Sequence, residues 1–308
     1  MSSIRIGTRK SKLALWQAEH VATLLQKEGL ATELVPMETR GDKVLDVSIA
    51  KIGSKGVFTE EIEAALLSGE LDIAVHSAKD MQSLLPEGFE LIAFTKREYP
   101  GDVLVSRNPE ASLEKPLRVG TSSVRRVALL KHRFPHIEIV DMRGNLQTRI
   151  RKMDEGACDA LILAFAGAHR MAYDDLIREK LPLDFFIPAV GQGAIAIEAC
   201  TNLSEQLKER IRKALNHRDT EVCLLAERAY LRRLEGGCSI PAFGLATLES
   251  GEITLHAGIV DLEGSRAITK KKSFPREMAE TMGRLLGEEI LAMGGAEILE
   301  TIQREKKG

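Results

Sequence analysis

The sequence predicts two similar α/β domains in tandem, followed by a smaller α+β domain. Three observations carry this. A strand–Gly–Thr–helix pattern occurs twice: Ile4-Arg5-Ile6-Gly7 runs into Thr8, and Leu117-Arg118-Val119-Gly120 runs into Thr121. Each copy is followed by Gly-x-x-Asp and an apolar strand: Gly69 to Asp72 before Ile73-Ala-Val75, and Gly156 to Asp159 before Ala160-Leu-Ile-Leu-Ala164. Finally, the chain has 308 residues, and a single core stops growing at about 250–300. Recurrence in the same order reads as a repeated unit. The alternative is coincidence between short motifs common in α/β proteins.

In order, Ile4 to Gly7 is a short strand. From about Lys12 to Glu28, Leu13, Trp16, Ala18, Val21, Leu24 and Leu25 give the apolar face of a helix, and Gly29 suits its C-terminal turn. Ala31 to Met37 reads as a second strand. The stretch from Thr39 to Gly56 is glycine-bearing and basic. It reads either as a lid over an anionic ligand, with Lys51 and Lys55 in it, or as a solvated loop. Phe58 to Leu67 is helical, and Leu71 to Val75 is a buried strand. Lys96 to Asp102 and Ile187 to Gly193 read as crossings between domains. Between them lie the second repeat and a helix starting near Val124. Ala194 to Glu198 is a strand; Ser204 to Leu215 and Thr220 to Leu234 are helices. Leu245–Leu248, Glu252–Ile259 and Arg266–Ser273 are strands, joined by turns at Ser250-Gly251 and Glu263-Gly264. A helix from Glu277 to Met293, a Gly294-Gly295 break and a helix from Ala296 to Gln303 end the chain.

Charged residues make up 29%, aromatics 4%, and the net charge is −2. That argues against broad nucleic-acid binding, which needs a basic surface. Cys158, Cys200, Cys223 and Cys238 show no metal-ligand spacing and imply no disulfide framework. The N-terminus lacks the apolar core of a signal peptide, and no apolar run is long enough to span a bilayer. A reducing cytoplasm is the expectation.

Two strand-to-helix turns offer N–H groups and hydroxyls to an anion: Thr8/Ser11 and Thr121/Ser122/Ser123. Arg9 stands in the first, Arg125 and Arg126 in the second, and Arg143-Gly144-Asn145 with Arg149 adds more guanidiniums. Arginine binds carboxylate or phosphate bidentately. No Walker or G-x-G-x-x-G fingerprint is present, so a polycarboxylate fits better than a nucleotide. Surface ion pairing is the alternative for each arginine. His76-Ser77-Ala78-Lys79-Asp80 lies at the carboxyl end of a buried strand, where α/β sheets place ligands. Asp80 there is either an acid/base or cation-stabilising group, or an N-cap for the next segment. Gly236-Gly237-Cys238, with Pro241 beyond, is a turn carrying a cysteine. It is an idle loop thiol or a thiol used for covalent attachment.

With these residues laid out, the chain resembles the porphobilinogen deaminase family over essentially its whole length. The resemblance is carried by Ile6-Gly-Thr-Arg-Lys-Ser11, Leu13-Ala-Leu-Trp-Gln17, Thr39-Arg-Gly-Asp42, Lys51-Ile-Gly-Ser-Lys-Gly56 and Ala74-Val-His-Ser-Ala-Lys-Asp80. It continues in Gly120-Thr-Ser-Ser123 with Arg125-Arg126, Arg143-Gly-Asn145, Pro188-Ala-Val-Gly-Gln-Gly193 and Leu234-Glu-Gly-Gly-Cys238. It implies two tandem periplasmic-binding-protein-like α/β domains plus a small C-terminal α+β domain, at 1–98 with 195–216, 99–194, and 217–308. It also implies a transferase that joins four porphobilinogen molecules head to tail with loss of ammonia, giving hydroxymethylbilane on the way to haem. The reaction is primed by dipyrromethane held as a thioether, for which the matching thiol is Cys238. The matching catalytic carboxylate is Asp80. The primer would also meet Ser77, Lys79, Asp80, Thr121, Ser122, Ser123, Arg125, Arg126 and Arg143. The substrate would meet Arg9, Ser11, Arg149 and Arg170, with Lys51 and Lys55 in a lid. A cytoplasmic monomer without metal, membrane or nucleic-acid partner is implied. Gln82, Ala168-His169, Ala199, Ser239-Ile240 and Ala242-Phe243 depart from the family pattern, and none removes a proposed catalytic group. A non-catalytic two-domain polycarboxylate-binding protein is the competing function.

Overall fold

The computed structural model describes residues 3–39, 59–235 and 240–307. Lys51, Lys55, Gly236, Gly237 and Cys238 lie outside the described residues.

In chain order the elements are β1 (Ile4–Arg9), α1 (Lys12–Lys27), β2 (Thr32–Met37), α2 (Glu60–Leu67), β3 (Ile73–Ser77), β4 (Phe89–Phe94), β5 (Asp102–Val105) and β6 (Arg118–Gly120). They continue with α3 (Val124–Arg133), β7 (Glu138–Val140), α4 (Leu146–Asp154), β8 (Ala160–Ala164), α5 (Phe165–Arg170), β9 (Ile177–Lys180) and β10 (Ile195–Cys200). The last are α6 (Glu205–Leu215), α7 (Arg218–Arg233), β11 (Ala242–Glu249), β12 (Glu252–Val260), β13 (Ala267–Pro275), α8 (Ala279–Ile290) and α9 (Ala296–Lys307). The chain divides into two compact units, Met1–Glu98 with Ala194–Glu221, and Tyr99–Gly193 with Val222–Gly308.

The first unit holds a five-stranded sheet in the order β2-β1-β3-β10-β4. Strand β1 runs parallel to β2 and β3, whereas β10 is antiparallel to β3 and β4. Pro36 sits in β2, an edge strand, where a missing N–H is tolerated. The second unit repeats the plan as β7-β6-β8-β5-β9, with β6 parallel to β7 and β8, and β5 antiparallel to β8 and β9. Each sheet thus has four strands running one way and one, the fourth in order, running against them. Parallel strands buried on both faces must be apolar throughout. Ile73-Ala-Val75 and Ala160-Leu-Ile-Leu163 are, and all are buried.

The repeat extends to individual atoms. Asp72 accepts the Arg5 N–H at 2.8 Å and its own N–H donates to the Arg5 carbonyl; Asp159 makes the same two bonds with Arg118. In each copy the arginine guanidinium also reaches the carbonyl of the motif glycine, Gly69 or Gly156. Both glycines have φ near +80°, at 75° and 82°, which ends the preceding helix at no steric cost. The Gly-x-x-Asp motif therefore stops a helix and pins the next strand against its neighbour.

The second unit also contains an antiparallel meander, β11-β12-β13. Glu249 pairs with Glu252 across a two-residue turn, Ser250-Gly251, in which both residues have positive φ, as a tight hairpin requires. Its strand β11 starts at Ala242, earlier than the Leu245 expected, because Ala242 already pairs with Ile259. Phe243, Leu245 and Val260 of the meander join the core of the second α/β sheet. The break expected at Gly294-Gly295 is a kink with Gly294 at φ 108°.

Candidate active site

In the first unit, the carboxyl ends of β1 and β3 open into one cleft. Arg9, Ser11, Gln17, His76, Ser77 and Asp80 line it, with Leu13, Ala14, Thr59 and Val75. Ser11 caps α1, its Oγ accepting the Ala14 N–H, and its own O–H remains available to donate. Thr8 is fully buried and donates to the Ala14 carbonyl, fixing the turn from below. Gln17, also buried, exchanges hydrogen bonds with the Ser77 hydroxyl, Nε2 donating at 2.9 Å. Past Ser77, the Ala78 N–H donates to the Ala194 carbonyl, and a 3-10 turn over Ala78–Asp80 closes with Met81 N–H to Ala78. That turn leaves Asp80 exposed and Lys79 half-buried. Asp80 ends the turn and a loop follows it, so the N-cap alternative falls away.

Cleft-lining His76 has a buried carboxylate partner that the sequence does not reveal. His76 Nε2 and Glu198 Oε2 are 3.0 Å apart across paired strands. Burial pushes the nearby Glu63 carboxyl up, partly offset by Thr59.

In the second unit, Thr121, Ser122 and Ser123 join β6 to α3. Thr121 is buried and accepts the Ser123 N–H, while the Ser122 hydroxyl donates to the Met142 carbonyl. Arg125 and Arg126 turn inward rather than forming surface ion pairs. Arg125 Nη2 reaches Asp102 Oδ2 at 2.7 Å, and Arg126 Nη2 reaches Oδ1 at 2.7 Å. Arg125 Nη1 also donates to the Ile187 carbonyl and Arg126 Nη1 to the Ile162 carbonyl. Asp102 is wholly buried. Burial alone would raise its carboxyl, but the two guanidiniums outweigh this and hold it well below the usual carboxylate range. Arg143 pairs with Asp141, Arg149 Nε donates to the Gly144 carbonyl, and Arg170 Nη2 donates to the Gly193 carbonyl at 2.9 Å. Gly144 has φ 114°, and a Cβ there would lie 2.7 Å from Thr148, so the bend needs glycine. Asp102, Gln192 and Glu227 are further buried polar residues the sequence did not flag.

These residues suit an acidic primer. One carboxylate faces two guanidiniums at Asp102, and the buried Arg125 Nε lacks a partner. Both guanidiniums are buried, so this excess of positive charge would attract a ligand carboxylate through its field.

Repeated α/β sheets with hydroxyls and guanidiniums at their strand ends are chemically suited to organic anions, and here an exposed carboxylate is added. Family models agree. "Porphobilinogen deaminase, dipyromethane cofactor binding domain" matches residues 4–209 and "Porphobilinogen deaminase, C-terminal domain" matches 221–292. A protein of Desulfosudis oleivorans named porphobilinogen deaminase is 54% identical over 306 residues, covering 98% of this chain and 99% of its own. One of the same name from Cytophaga hutchinsonii is 54% identical over 304 residues, covering 98% and 97%. Among solved structures, a BvgS VFT2 domain of Bordetella pertussis is 17% identical, with TM-score 0.44, over 69% of this chain and 86% of that one. The chain belongs to the porphobilinogen deaminase family. It is a transferase that joins four porphobilinogen molecules head to tail with release of ammonia, on a covalent dipyrromethane primer, to give hydroxymethylbilane. Family membership sets aside the non-catalytic binding reading.

Proposed function

We propose that Asp80 is the catalytic carboxylate of this reaction and that Cys238 holds the primer as a thioether. The carrying observation is the cleft that gathers Arg9, Ser11 and Ser77 around the exposed Asp80. When bound, the dipyrromethane supplies a tethered pyrrole end onto which each unit is joined. Asp80 faces the positive charge that grows as the substrate loses ammonia, and a fixed carboxylate stabilises such charge more than water does. An Asp80 oxygen can then accept the proton released as the new carbon–carbon bond forms. Gln17 keeps the Ser77 hydroxyl oriented beside it.

Arg9 and Ser11, at the α1 N-terminus, take a substrate carboxylate, where the helix end favours negative charge. Arg149 and Arg170 take others. Thr121, Ser122, Ser123, Arg125, Arg126, Arg143 and Lys79 hold the primer's carboxylates, and Lys51 and Lys55 close over the ligand. Cys158, Cys200 and Cys223 are all buried, and burial pushes the Cys158 thiol up, so these three suit attachment poorly. We read the chain as three domains, 1–98 with 195–216, 99–194, and 217–308, each with its own sheet. The protein acts as a cytoplasmic monomer without nucleic-acid or membrane partners. Its net charge of −2 gives little attraction for a polyanion, and no helix among the described residues is long and apolar enough to cross a membrane.

The test is turnover of Asp80→Ala, followed as ammonia release from porphobilinogen. A fall in kcat of roughly 10²–10⁴ is expected with the primer still attached. An unchanged rate removes Asp80 from the chemistry.

A further inference from the structure

The sequence marks Pro188-Ala-Val-Gly-Gln-Gly193 as part of a crossing and of the family resemblance. In the structure it is an attachment point for three different parts of the second unit. The Gly191 N–H donates to Glu227 Oε2 at 2.8 Å, and Glu227 lies on α7, which leads towards Cys238. The Gly193 carbonyl accepts from Arg170. Between them, buried Gln192 donates through Nε2 to the Pro100 carbonyl at 2.7 Å and to Asp102 Oδ1 at 3.0 Å. Gly191 and Gly193 have φ of 76° and 94°, so the chain turns on both sides of Gln192 in a way other residues resist.

Asp102 therefore divides its two oxygens unequally. Oδ2 receives Arg125, while Oδ1 receives Arg126 twice and Gln192 once. A buried carboxylate held by three side chains cannot rotate without breaking several charge-assisted bonds at once. Gln192 is neutral, so it orients the carboxylate without cancelling charge. Two guanidiniums against one carboxylate leave one positive charge over.

We infer that Gln192 and Asp102 are positioning residues: they fix how Arg125 and Arg126 are presented and preserve their surplus positive charge for a ligand carboxylate. This rests on the reading that the arginine pair receives the primer's carboxylates. A glutamate at 192 would set a second carboxylate against Asp102 and remove the surplus. A methionine would keep the volume and remove the whole amide, including both Nε2 bonds.

The test compares full-length Gln192→Met, Gln192→Glu and Arg126→Gln with the unaltered protein. Three quantities are read: the fraction of Cys238 peptide carrying the primer mass, KM against kcat for porphobilinogen, and melting temperature. The expected result for Gln192→Met is a lower loaded fraction and a KM raised about tenfold, with kcat per loaded molecule little changed. Gln192→Glu should be worse on both counts, although it differs from the native side chain in size least. Normal loading and KM in both Gln192 variants, with Arg126→Gln impaired, overturn the positioning role alone. A lower melting temperature with normal loading and KM also overturns it, because a merely structural residue behaves that way. Normal loading and KM in Arg126→Gln overturn the underlying site reading, and this inference with it.

Discussion

At Asp102, burial and pairing oppose each other, and pairing wins. Its carboxyl is held below its unfolded value of about 3.9. A depressed folded-state value means that its contribution to stability is complete above the ordinary carboxylate range and is lost as pH falls through the folded-state value. Asp102→Asn should therefore flatten the acid side of the stability profile. At pH 7 it leaves two guanidiniums buried without a counter-charge, costing about 3–5 kcal/mol. Urea unfolding at pH 7 and in acid measures both; equal losses at the two pH values contradict the account. That Asp80 lines a cleft at a strand end was legible because an apolar strand ending in a polar cluster is a sequence-local pattern. The Asp102 partnership was not, since Asp102 stands in what reads as a crossing and its arginines come 23 and 24 residues later. Gln17–Ser77 and His76–Glu198, separated by 60 and 122 positions, were hidden for the same reason.

Elements with a local signature could be read directly. The two Gly-x-x-Asp motifs revealed the repeat because glycine stopping a helix and aspartate pinning a strand are sequence-local jobs. Strands β7 and β9, of three and four residues at sheet edges, were missed, being too short to show a period. So was β5, where a buried aspartate opens an otherwise apolar run. The meander was legible from its Gly turns, while its attachment to α7 was not. Tyr230 on α7 is wholly buried and donates to the Gly258 carbonyl of β12 at 2.6 Å. Tyr230→Phe removes this buried hydrogen bond and should cost about 0.5–1.5 kcal/mol. KM should not move, because the bond holds the meander and touches no ligand group. A melting temperature equal to that of the native protein contradicts this role.

Across the whole molecule, one α/β plan is used twice with different contents. The first copy carries the exposed carboxylate beside Arg9 and Ser11; the second carries the buried arginine pair, Arg143, Arg149 and Arg170. The same scaffold thus separates a group suited to developing positive charge from groups suited to fixed negative charge. Repetition made the scaffold readable, and the proposed roles fall on the residues that differ between the copies. The central claim is that successive units are built on a primer fixed to Cys238. The mass of the Cys238 peptide from protein that turns over porphobilinogen tests it most directly. A thioether adduct with the mass of two linked pyrrole units is the predicted result; an unmodified thiol in fully active protein contradicts it.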